Sequence, residues 1–173
     1  MTKLITKEDI VINEVKRIIE ESKKKVVSYV NTTLLFTYWN IGKLIVEYQG
    51  GLERAKYGDK LIERLSIELT EEYGGAFNKS NLWRMVQLYE CFPIIASLKR
   101  ELSWTHYKYI ITVKNPDARD YYINEVITRQ LSVRELERLI KTNTYEREKS
   151  NQITVNVNIN FTKNALVTFT NFG

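Results

Sequence analysis

One cysteine, Cys91, and one histidine, His106, are all this sequence offers of the two strongest metal-binding residue types. No disulfide can form within the chain, and neither a second thiol nor a second imidazole is present to build a structural zinc site. Two prolines and seven glycines in 173 residues leave long stretches without a breaker, which favours helix and disfavours an all-β fold. Gly50-Gly51 and Gly74-Gly75 lack the following Lys-Ser/Thr or third glycine of a phosphate-binding loop. No apolar run approaches membrane-spanning length. The opening "MTKLITKEDIVINEV" carries acids early and has no apolar core of a secretory signal. These absences lead to the expectation of a soluble, cytoplasmic, helical chain without metal or cofactor.

What is present supports folding. Hydrophobic residues make up 43% and charged residues 27% of the chain, enough for a domain with a real core. The formal net charge of +5 is compatible with nucleic acid. It is not diagnostic, since many basic proteins bind nothing anionic.

Thr6 followed by acids opens a helix, and apolar residues then recur from Ile10 through Val15, Ile19, Val26, Val30, Leu35, Tyr38 and Trp39 to Ile45. This spacing predicts one long helix, or two nearly collinear ones, over about 7–48, stopped by Gly50-Gly51. Further helices are expected over about 59–73, from Asn78 or Ser80 to about Phe92, and over 103–113 with Ser103 as cap. Asn115-Pro116 opens another over about 116–129. "SVRE", Ser132 to Glu135, is a capping box for a last helix over about 132–147. The fold class expected is all-α, with about six helices, the long one first. Residues 1–149 form the helical domain. The tail, 150–173, alternates apolar and polar residues at Ile153, Val155, Val157, Ile159 and Phe161, and is expected to be β-prone or disordered.

Catalysis finds little support. His106 lies next to the inward stripe of its helix and has no second histidine, so a packed, hydrogen-bonded ring is the expected role. Metal-dependent nucleases use clustered carboxylates with a lysine, often as Glu-x-Lys on a strand. Glu14-Val15-Lys16 and Glu21-Ser22-Lys23 match that short pattern, but both fall in the long helix, where Glu and Lys are ordinary solvent-face residues. Asp117 follows Pro116 at a helix start, with no Glu-x-Lys after it.

Binding finds more. "YGDKLIERLSIELTEEYGGAFNKSNLWRMVQLYE" reads as helix, Gly-containing turn, helix, the layout of a helix-turn-helix. The second helix offers Lys79, Ser80, Asn81, Arg84 and Gln87, residue types that contact phosphates and base edges. Two packed helices joined by a glycine turn are also common in any helical domain. Arg134, Arg138 and Lys141 form another basic face, interleaved with Glu135 and Glu137, and a solvated, salt-bridged surface is expected there. The apolar stripe of the first helix raises an alternative: a protein-interaction module that pairs with a copy of itself or assembles a nuclease complex, its tail adding to a partner's sheet edge.

Several stretches in order carry a resemblance: "LLFTYWNIGKLIVEYQ", the helix-turn-helix-like segment just quoted, and "LSWTHYKYIITVKNPDARDYYINEVITRQLSVRELERLI". They include Trp39, Asn81 with Arg84, Trp104-x-His106-Tyr107, Arg119 with Tyr122, and Arg134. Over about residues 10–148 the chain resembles the N-terminal domain of the YhcG-type PDDEXK nuclease family, bacterial proteins predicted to be nucleases. The resemblance implies an all-α domain preceding a C-terminal nuclease domain, with a role in DNA binding or assembly. It also implies that His106 belongs to the module without the active site. The nuclease domain's carboxylates and lysine map to no position here, so the chain is expected to be non-catalytic, as a truncated or frameshifted member or a free-standing module.

Overall fold

A computed structural model describes residues 6–48 and 58–151. The expected stop at Gly50-Gly51 and the tail beyond residue 151 lie outside the described residues. Seven α-helices are found among them, of which the first six are α1 Lys7–Tyr48, α2 Gly58–Tyr73, α3 Lys79–Cys91, α4 Trp104–Ile110, α5 Pro116–Arg129 and α6 Val133–Lys141. Short 3-10 turns occupy Gly75–Phe77 and Ile95–Ser97, and a further helical stretch covers 144–151. The all-α expectation is met. The described residues fall into two compact units, one ending at Lys108 and one beginning at Tyr109.

The first unit is organised by α1 and α3. Its core gathers Tyr38, Ile45 and Val46 from α1, Ile62 from α2, and Leu82, Met85 and Val86 from α3. Trp104 packs against this cluster, its ring 5.0 Å from that of Tyr38. The closest approach is at Gly42, where a Cβ would sit on the carbonyl carbon and oxygen of Met85. Glycine is required there for the contact, not for backbone freedom. One turn earlier, the Trp39 indole N–H donates to the carbonyl of Phe92 across 2.7 Å, in a buried setting. That bond satisfies a carbonyl at the C-terminal end of α3 that the helix itself leaves open. Pro93 follows directly, and α3 stops at Cys91.

The links between helices are set by caps. Gly74, at φ 88°, ends α2 and accepts no side chain's penalty there. Asn78 caps α3, its side chain accepting from the N–H of Asn81 at 3.0 Å. In the second unit, Asn115 caps α5 with Pro116 following, as the sequence predicts. Ser132 and Glu135 form the complete capping box of α6. The helix expected over 132–147 is, however, two pieces. Asn143 adopts the left-handed conformation, φ 47°, and interrupts it after Lys141. Asparagine is one of the few residues that tolerates this region. Likewise α4 ends at Ile110, short of the expected 113.

Gly42→Ala is expected to destabilise the first unit by about 3 kcal/mol or more, because backbone, not a movable side chain, occupies the space. Gly75→Ala, with nothing within 4 Å of its Cβ position, serves as the control and should change little. Urea unfolding of both variants checks this.

Candidate nucleic-acid interface

The turn between α2 and α3 is tied by side-chain amides. Asn78 donates to the carbonyl of Gly75 at 2.8 Å, and Asn81 donates to the carbonyl of Ala76 at 3.1 Å. The Asn81 amide oxygen accepts from the Arg84 guanidinium at 3.1 Å. Asn81 is thus engaged on both ends of its amide, and it orients Arg84. Arg84 is half-buried, while Lys79, Ser80 and Gln87 are exposed. Ser80, Arg84 and Gln87 stand at i, i+4 and i+7, which puts them on one strip of the helix. Lys79 lies to the side and approaches Asp59 at 3.9 Å, a weak exposed pair. Among the described residues no carboxylate forms an ion pair with Arg84. Glu90, in the last turn of α3, lies off this strip, and partial burial holds its carboxyl above the usual range.

The other motif residues, Arg134 apart, hold parts of the fold together. His106 Nδ1 accepts from the backbone N–H of Ser103 at 3.1 Å and lies 2.9 Å from its hydroxyl. The Ser103 hydroxyl in turn accepts from the N–H of His106 at 3.4 Å. This is the reciprocal pattern of a capping box, with histidine in the place usually taken by Glu or Gln. Tyr107 is fully buried, its hydroxyl accepting from the N–H of Lys99 at 2.7 Å, its ring edge-on to Phe92. Burial pushes its phenol up to about 12. Arg119 donates to the carbonyls of Val113 and Lys114, which follow α4. The Tyr122 hydroxyl accepts from the N–H of Tyr145 at 3.4 Å. Arg134 is exposed on α6.

Of the salt-bridged face expected on α6, one ion pair is found among the described residues. Glu137 pairs with Lys141 at 2.7 Å, and Glu135 is taken up by its cap, whose hydrogen bonds from Ser132 hold it below the usual carboxylate range. Glu14 and Glu21 both pair with Arg17 on the exposed surface of α1. Among the described residues no three of His, Cys, Asp and Glu come together in a way that suits a metal ion.

One basic surface escaped the sequence reading. Arg100 lies over the Phe36 ring, 5.8 Å from its centre, and lines a groove with Lys25, Ser28, Tyr29, Thr32 and Thr33 of α1. A neighbouring hollow shares Arg100 with Lys23 and Lys24. The lysine run was the visible half of the signal. Nothing in the sequence connects it to an arginine in a distant loop.

Two measurements test this reading. His106→Ala should cost about 1 kcal/mol by removing the cap of α4, and His106→Glu should recover most of it, since glutamate serves the same N–H. Tyr107 keeps its proton in the folded state beyond the pH at which the unfolded chain loses it. Its contribution is therefore complete below about pH 10 and is lost as pH rises towards about 12. Urea midpoints taken across that range should fall less steeply in Tyr107→Phe.

Residues 14–147 match the family described as DUF1016 N-terminal domain. The chain is 33% identical over 163 residues to a protein of Escherichia coli (strain K12) named "Putative nuclease YhcG", an alignment covering 75% of this chain and 44% of that one. The chain therefore spans less than half the length of the curated relative it matches. No solved structure matches. The matched segment includes every motif residue described above, from Trp39 to Arg134, and the chain belongs to the DUF1016 N-terminal domain family.

Proposed function

We propose that this chain is a non-catalytic helical module that contacts DNA through the face of α3 that carries Ser80, Arg84 and Gln87. The observation that carries the reading is Arg84. Its guanidinium is aimed by a neutral amide, stands between Ser80 and Gln87, and has no carboxylate to neutralise it among the described residues. An arginine held in this way keeps its charge and donors for a phosphate or the O6/N7 edge of guanine. Ser80 and Gln87 extend the strip with further donors and acceptors, and Lys79 adds a phosphate contact at its side. Asn81 acts as the residue that positions Arg84, since its own amide is engaged in the turn.

Three supports stand beside the geometry. The sequence carries a net charge of +5. Helices α2 and α3 follow one another across a short glycine-containing turn, the order on which a helix-turn-helix reading rests. The similar Escherichia coli protein bears the name of a putative nuclease, which supports a role beside nucleic acid. The non-catalytic part of the reading rests on the carboxylates of the two Glu-x-Lys matches, which are spent on Arg17 in a solvent-exposed helix. Cleavage would belong to a nuclease domain joined to this module or assembled with it.

Fluorescence anisotropy of the purified chain with labelled duplex DNA, over a salt series, tests the proposal. Binding should weaken steeply with salt, because counterions are released from the duplex. Arg84→Ala should weaken it by about tenfold, the order of one good phosphate or base contact. Salt-insensitive binding, or affinity unchanged in Arg84→Ala and Gln87→Ala, would sink it.

A further inference from the structure

α1 carries two apolar stripes on opposite faces. At about 100° per residue, its buried residues Leu35, Tyr38, Trp39, Gly42, Ile45 and Val46 occupy one arc of roughly 120° and face the core. Over residues 11–30 a second stripe occupies an arc of similar width, turned by about 180° from the first. It holds Val11, Ile12, Val15, Ile18, Ile19, Val26, Tyr29 and Val30, with Ser22 the one polar member. No charged side chain of residues 11–30 falls within that arc. Glu14, Arg17, Glu20, Glu21 and Lys24 lie on the other side, and most are paired there: Arg17 with Glu14 and Glu21, Lys23 with Glu20.

None of residues 10–30 is buried. Ile12, Val15, Ile18 and Ile19 are about half exposed, and Val11 and Val26 more so. The arm, Lys7 to Val30, extends roughly 36 Å. It is rich in β-branched residues, which are poor helix formers and give a helix little stability of its own in water. Packing of the apolar face is what sustains such a helix, and that face points away from the core of its own unit.

We infer that the arm pairs with the arm of a second copy of this chain through the Val11–Val30 stripe. The stripe exposes on the order of 800 Å² of mostly apolar side chain, about what each partner contributes to a specific interface of standard size. A charge-free aliphatic arc bordered by residues of both signs is its own complement, the condition for a two-fold helix pair. The arm's acids, Glu8, Asp9, Glu14, Glu20 and Glu21, nearly balance its bases, Lys7, Lys16, Arg17, Lys23, Lys24 and Lys25. An anionic lipid surface therefore gains little attraction from it. The inference does not depend on the DNA reading.

Light scattering after size exclusion measures the mass of the full chain across a dilution series. The expected mass is twice the 20.4 kDa of one chain, falling towards one chain on dilution. Ile19→Glu with Val26→Glu should halve the mass, while Lys24→Ala, on the opposite face, should leave it doubled. Hydrogen exchange of the amides of 11–30 gives a second readout: protection should rise with protein concentration in the wild type and not in the double variant. A wild type of single-chain mass at every concentration overturns the inference. So does a dimer that survives the double variant, or a monomer that sediments with anionic vesicles through the same residues.

Discussion

The first unit hangs on a contact that leaves no room for a side chain. At Gly42 the backbone of α1 meets the carbonyl of Met85, with no space between them for a side chain. That closeness brings the Trp39 indole within 2.7 Å of the Phe92 carbonyl and seals the end of α3. It also settles the rotation of α3. With Leu82, Met85 and Val86 turned into the core, the strip of Ser80, Arg84 and Gln87 is what remains open. The candidate interface is thus a consequence of which face α3 must bury, and the glycine is as much a part of it as the arginine.

The polar residues that look functional in the sequence divide into two kinds. One kind holds turns together. His106 serves the N–H of Ser103, Asn78 and Asn81 close the turn into α3, Glu135 closes the box at Ser132, and Arg119 gathers the carbonyls after α4. Each stands at a helix boundary, where unpaired backbone groups require a partner. The other kind remains turned outward, and Arg84 is its clearest member. A histidine flanked by tryptophan and tyrosine suggests chemistry, but three positions after a serine that opens a helix it is placed to cap.

Much of this was legible in advance because it is local. The periodicity over about 7–48 gives one long helix or two nearly collinear ones, of which the single helix is found, and Asn115-Pro116 and Ser132 to Glu135 give two helix starts. The break at Asn143 was not legible, since asparagine in the left-handed region looks in sequence like any polar residue on a helix surface. Neither was the Gly42–Met85 contact, nor the groove that joins Lys25 to Arg100, because both depend on positions far apart in the chain. The engagement of Asn81 was hidden for a subtler reason. Its type suits adenine recognition, and only the position of the Ala76 carbonyl shows where its donor goes.

The apolar pattern of α1 shows how a continuous signal can hide two functions. Read as spacing, Ile10 to Ile45 is one run. Read as phase, it changes sides between Val30 and Leu35, where the exposed arc ends and the buried one begins. A helix that served only its own core would keep one phase throughout. The shift therefore separates what folds the unit from what the arm presents outward. A two-fold pair of arms would also relate two copies of α3 by the symmetry that duplex DNA itself possesses, which is how paired recognition helices address two half-sites. The two proposals rest on different residues, Arg84 and the Val11–Val30 stripe, but the same physical rule produces both: what the core of this unit does not bury is left available for a partner.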